Sequence, residues 1–175
     1  MNKLFTLAYP SISEQDAARL DALRQAHDPR RDVVAAHFTM VFGCSTVEEE
    51  AYLAHVTAVS QAAGPVKFSC RYAMLGADDE AERGYVFLVP DEGYSGLSRL
   101  HDELYRGVLA ERLRLDIPFV PHITLGASAD RAAAKRLCDE LNATGLAIHG
   151  VVDALTVTTL QGHTMRDLKR IPLDG

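Results

Sequence analysis

The strongest constraint on the fold comes from two short segments about half a chain apart, 36–43 (AHFTMVFG) and 121–126 (PHITLG). Both are rich in β-branched and aromatic residues, both end in glycine, and both read as strands. On a strand, residues i and i+2 project to one face. His37 and Thr39 therefore share a face, and Phe38, Met40 and Phe42 are expected to point the other way into a core. His122 and Thr124 repeat the arrangement, with Ile123 and Leu125 opposite. Each segment follows a helical stretch, so the chain is expected to form two similar lobes, each contributing one central strand to a shared cleft.

The remaining pattern alternates strands and helices. Residues 3–9 (KLFTLAY) read as an opening strand stopped by Pro10, and Ser13 opens a helix carrying Ala17, Leu20 and Leu23 at helical spacing. Thr46-Val47-Glu48-Glu49 has the form of a capping box for a helix that runs to Gly64-Pro65. Segments 66–75 and 84–89 read as strands around a polar turn at 77–80. Leu97, Leu100, Leu104 and Val108 mark a long amphipathic helix. A helix over about 129–143 has Gly145 as its stop, 147–160 reads as one or two strands, and 166–173 as a final edge strand.

Composition narrows the function classes. The 175 residues carry a net charge of −6, whereas proteins that grip long duplexes usually present a basic face. If the substrate is a phosphate ester, it is therefore expected to be small, or the end of a strand. No run approaches the roughly 20 apolar residues of a membrane span, and the first residues are too soon interrupted by Pro10 for a secretory signal. Cys44, Cys70 and Cys138 stand far apart with no Cys-x-x-Cys pair, which suggests neither a disulfide framework nor structural zinc. A reducing cytoplasm is the expected compartment, and a monomer the expected state.

A histidine and a hydroxyl on one rigid strand suit phosphate ester chemistry. An imidazole gives or takes a proton near neutral pH, and a threonine hydroxyl can donate to a phosphoryl oxygen. The tripeptide alone is weak, since His55-Val56-Thr57 matches it too. That copy falls in a helical stretch, where i and i+2 diverge by roughly 200°, and is read as a decoy.

The segments 37–43 (HFTMVFG) and 121–126 (PHITLG) resemble the two signature motifs of the 2H phosphoesterase superfamily, which includes the bacterial 2'-5' RNA ligase and 2',3'-cyclic phosphodiesterase proteins. The opening KLFTLAYP is also similar to that family's first strand. The resemblance implies an α+β fold: a single domain over 1–175 made of two related α/β lobes, with antiparallel sheets facing a central cleft. It further implies hydrolysis, without metal or other cofactor, of a 2',3'-cyclic phosphate or 2'-5' phosphodiester on a small nucleotide or RNA 3' end. His37 and His122 would be catalytic, and Thr39 and Thr124 phosphate-binding. Two departures stand out: Ala127 occupies a position where many relatives carry a basic residue, and Met40 replaces the commoner aliphatic.

Other residues divide between a site and a structural role. Tyr85 and Phe87 share a strand face, and Tyr9 closes the first strand; each could stack a base or fill the core. Arg71 could meet phosphate or lie on a solvated edge. His27 and His101 are expected to face solvent, and His149 and His163 could border the cleft. Cys44 reads as a small buried residue rather than a nucleophile. A metallohydrolase is disfavoured because there is no His-x-His or His-Glu-x-x-His. ATP-driven nucleotidyl transfer is disfavoured because there is no Gly-rich loop ending in Lys-Ser/Thr. A nucleotide- or RNA-end-binding module without turnover remains the alternative, and a purely structural role would leave the matched motifs unexplained.

Overall fold

A computed structural model describes residues 3–77 and 83–175, so most of the turn expected at 77–80 lies outside the described residues. The strands are β1 (Leu4–Ala8), β2 (Ser11–Ile12), β3 (Phe38–Cys44), β4 (Val66–Gly76), β5 (Gly84–Glu92), β6 (Ile123–Ser128), β7 (Ile148–Val152), β8 (Ala154–Gln161) and β9 (Thr164–Pro172). The helices are α1 (Glu14–His27), α2 (Glu49–Ala62), α3 (Tyr94–Leu104) and α4 (Arg131–Ala143). The described strands form one sheet in the order β2-β7-β4-β5-β6-β3-β1-β8-β9, antiparallel at every pairing.

The two motif strands, β3 and β6, are neighbours at the middle of this sheet. They are joined through a single register pair, Phe38↔Ile123, whereas β4–β5 and β8–β9 pair along most of their lengths. The expected pair of sheets is therefore one sheet with a narrow seam: β2-β7-β4-β5-β6 on one side and β3-β1-β8-β9 on the other. Neither side is a contiguous half of the chain, because β1 and β3 lie beside β8 and β9 from the other end. Helix α1 packs on β6 and α4 on β4, β5 and β6; α2 lies against β8, β9 and α3. Phe38, Met40, Val41, Ile123 and Leu125, together with Tyr52, Val56, Leu97, Leu100 and Leu104 from α2 and α3, form part of one buried core.

Three local expectations need correction. The residues 46–49 make no capping box: α2 is capped at Glu48, with no side-chain cap bond, and the Thr46 hydroxyl lies instead against Cys44 Sγ at 3.7 Å. The long helix ends at Leu104: Arg106 is already extended, with φ −109° and ψ 178°, and a separate 3-10 turn follows over Gly107–Arg112, opened by Gly107 at a left-handed φ of 52°. Val108 is consequently 47% exposed rather than part of a buried stripe. His101, expected to face solvent, is buried, with its ring stacked on Phe119 at 3.7 Å between centroids. In contrast, Ser13 caps α1 by accepting from the Asp16 N–H, and Gly145, at φ 66°, follows the end of α4.

Candidate active site

The register through Phe38↔Ile123 sets His37 across from Thr124, and Thr39 across from His122. All four side chains line one cleft of about 520 Å³. Each imidazole is fixed in the same way. His37 Nδ1–H donates to the Ala35 carbonyl at 2.7 Å, and His122 Nδ1–H to the Val120 carbonyl at 2.6 Å. A carbonyl can only accept, so the proton of each neutral ring sits on Nδ1 and the lone pair on Nε2. Thr39 Oγ1 lies 3.1 Å from His37 Nε2.

A second parallel lies in the backbone. Thr39 pairs with Leu7, but the next partner of Thr6 is Val41; Thr124 pairs with Phe87, but the next partner of Val86 is Gly126. Each motif strand thus carries a bulge immediately after its threonine, placing two residues opposite one. The bulge shifts the in–out alternation. Phe38, Met40 and Val41 are buried, but Phe42, expected in the core, turns to the cleft. In the second strand Leu125 and Gly126 are buried, and Ala127 lines the cleft.

Because β3 and β6 run in opposite directions, the cleft extends to both sides of the four motif residues. Phe42, Gly43, Lys3 and Phe5 lie toward one end, and Ala127, Tyr85 and Arg83 toward the other. The Arg114 guanidinium lies 5.9 Å from the Phe42 ring centre. The described lining includes the basic side chains Lys3, Arg24, Arg30, Arg83 and Arg114 against one carboxylate, Asp28, which pairs with Arg24, while Arg114 pairs with Asp116 beyond the lining. A chain of net charge −6 thus concentrates positive charge around the paired motifs.

Burial pushes both imidazoles down to about 4, partly opposed by their carbonyl bonds. His122 is also stacked on Phe87, with 3.5 Å between ring centres and 16° between planes. Tyr9 meets His37 edge-on at 6.2 Å. Among the described residues, no group of three or more His, Cys, Asp or Glu is placed to hold a metal ion. No helix among them is long and apolar enough to cross a membrane.

Residues 11–164 match the family described as the 2'-5' RNA ligase superfamily. The chain belongs to that superfamily. No curated protein matches it in sequence. Among solved structures, the protein TT0787 of Thermus thermophilus is 22% identical with a TM-score of 0.64, over 99% of this chain and 98% of that one. LigT of E. coli in its apo form is 20% identical with a TM-score of 0.60, over the same shares. Usb1 of Kluyveromyces marxianus is 10% identical with a TM-score of 0.54, over 98% of both. At these identities the likeness is one of fold, and it fits the two-lobed α/β architecture expected for two-histidine phosphoesterases.

Within this superfamily fold, the other sequence candidates separate. Tyr85 lines the cleft. Phe87 is buried beneath His122 and supports that ring. Tyr9 borders an adjoining groove of about 710 Å³, where its hydroxyl donates to Asp167 at 3.4 Å. Arg71 is not brought to the cleft: it is exposed on β4, ion-paired with Asp91 and Glu92, so it takes the solvated-edge alternative. His163 lines the cleft; His149, on β7, instead lies 2.9 Å from Ser69 Oγ. His55 is held against α3, its Nε2 bonding the Leu104 carbonyl at 2.8 Å. All three cysteines are free and buried. The basic lining residues were not singled out from sequence. Strand parity could have found two of them, since Lys3 alternates with Phe5 and Leu7, and Arg83 with Tyr85; Arg114 sits in a loop with no such signal.

Proposed function

We propose that the protein hydrolyses a phosphodiester of a small nucleotide or RNA end, a 2',3'-cyclic phosphate or a 2'-5' linkage, by acid–base catalysis from His37 and His122. The observation that carries this reading is the pairing itself: two imidazoles with the same Nδ1 clamp and an unprotonated Nε2, interleaved with two threonine hydroxyls on one face of a basic cleft. One neutral ring would accept the proton of the attacking water through Nε2. The other, protonated, would donate to the departing ribose oxygen. Thr39 and Thr124 would donate to the non-bridging oxygens, with the Lys3 ammonium and the Arg30 and Arg83 guanidinium groups of the lining offsetting their charge.

Relatives support a nucleotide as ligand. E. coli LigT has been solved with 3'-AMP, with ATP and with NADP+. The half-buried Phe42 at one end of the cleft offers a face on which a base could stack, whereas Tyr85 at the other end is buried against Phe87.

The test is hydrolysis of 2',3'-cyclic, 3',5'-cyclic and 2'-5'-linked nucleotides, with and without chelator. Turnover of at least one of the first or third class should survive chelation. His37→Ala and His122→Ala should each lower turnover by about 10²- to 10⁴-fold while circular dichroism stays unchanged. A folded variant that keeps full rate removes that histidine from the chemistry. Thermal stabilisation by these nucleotides without product would mark a binding module instead.

A further inference from the structure

Behind His37 lies a buried ion pair that the proposed chemistry does not use. Arg24, in the last turn of α1, is 4% exposed, and Asp28, just past the helix end, is 9% exposed. Arg24 Nε donates to Asp28 Oδ2 at 2.9 Å, and its terminal nitrogen lies 2.8 Å from the same oxygen. That nitrogen also donates to the Val34 carbonyl at 2.8 Å. Asp28 Oδ1 accepts from the Arg30 N–H at 2.8 Å. The pair therefore ties both ends of the segment 30–34, whose Val33 carbonyl is held from the other side by the Met165 N–H at 3.1 Å. The next carbonyl, that of Ala35, is the one that fixes His37.

A buried pair of this kind contributes little net stability, because desolvation offsets the attraction, and apolar residues of similar volume often replace it without loss. Its position against a proton-transferring ring gives it another use. Arg24 and Asp28 act on the His37 imidazole with opposite signs. The ring also faces His122, just before β6, Tyr9, just after β1, and the Thr39 hydroxyl. The ring of His122 rests instead on Phe87.

We propose that Arg24 and Asp28 are positioning residues for His37. By anchoring the peptide before Ala35 they hold its carbonyl on Nδ1, keep the Nε2 lone pair in the cleft, and balance the charge beside the ring. This rests on the proposed function only where it concerns rate; the placement of the proton on His37 can be read without any substrate.

The experiment is ¹⁵N and ¹H NMR of the histidine rings, assigned with the His37 and His122 variants, across a pH series. In Asp28→Asn the unbalanced Arg24 charge should move the His37 titration to lower pH, and in Arg24→Met its loss should move it to higher pH. Shifts of the same sign, or none, overturn the inference. Either single variant leaves a buried charge unpaired and can unfold, so the double variant Arg24→Met/Asp28→Leu decides the matter independently. There His37 should lose its uniform Nδ1–H tautomer at alkaline pH while His122 keeps its own as an internal control. A His37 ring still wholly in the Nδ1–H form rejects the positioning role. With an active wild type, kcat in the double variant should fall about 10- to 100-fold, the range for partners that orient a metal-bound histidine through its second nitrogen, with KM changed less than about 3-fold. If no substrate of the panel is turned over, the proposed function fails and the NMR result still stands.

Discussion

At the scale of single residues, the site depends on where two protons sit. Each imidazole spends Nδ1 on a carbonyl two residues upstream, so the backbone decides which nitrogen keeps its lone pair. Burial holds both rings down at about 4, against 6.5 for an unconstrained histidine. An unfolded chain therefore binds more protons than the folded one between these values, and stability is expected to fall as pH drops from about 6.5 to about 4. Above 6.5 the two groups contribute no slope. Urea unfolding of a His37→Gln/His122→Gln variant tests this: its acid-side decline should be shallower than that of the native chain. A bound phosphate adds negative charge beside the rings and raises the pKa of whichever becomes the acid. The alkaline limb of kcat should consequently lie at higher pH than that of kcat/KM, as measured over matched buffers. His37, Thr39, His122 and Thr124 were legible in the sequence because strand parity fixes their common face. The role of Phe87 as a support for His122, and the burial of His101, depend on residues brought from other strands and helices, which parity does not report.

At the scale of elements, the bulges after Thr39 and Thr124 decide what reaches the cleft. Alternation along an uninterrupted strand assigns Phe42 to the core, and the extra residue opposite β1 reverses that assignment. A bulge leaves no signal in the apolar pattern because Met40 and Val41 are both apolar and both buried. Helix starts show the same contrast. Ser13 and Thr46 each precede acidic residues and look alike in sequence, yet only Ser13 caps a helix. Ser13→Ala should cost about 1 kcal/mol, whereas Thr46→Ala should stay within about 0.5 kcal/mol. Denaturant midpoints of the two variants measure the difference, and equal losses would contradict the observed cap.

At the scale of the whole molecule, the order and type of the principal elements could be read from the sequence, and the final edge strand appears as β9, but the two-residue β2, the 3-10 turn and the division of 147–160 into β7 and β8 could not. The interleaving of the two sides could not, because which strands pair is a non-local property. Charge is distributed on the same scale. A net-acidic chain that concentrates Lys3, Arg30, Arg83 and Arg114 around one cleft should bind anionic nucleotides more weakly as salt rises, since screening acts on the partly exposed cations. KM measured between low and physiological ionic strength is expected to increase while kcat changes little; a KM indifferent to salt would argue that these side chains do not meet the substrate.

The course of the backbone across the seam has a mechanical consequence. The polypeptide passes from one side of the sheet to the other between β1 and β2, between α1 and β3, between α2 and β4, and between β7 and β8. One rung of main-chain pairing would make a hinge if a lone connection spanned it. Four stitches, two of them separated by only a few residues from the strands they join, make a sewn joint instead. Such a molecule meets its ligand with jaws already set, and small-angle scattering should record the same radius of gyration with and without a nucleotide between them.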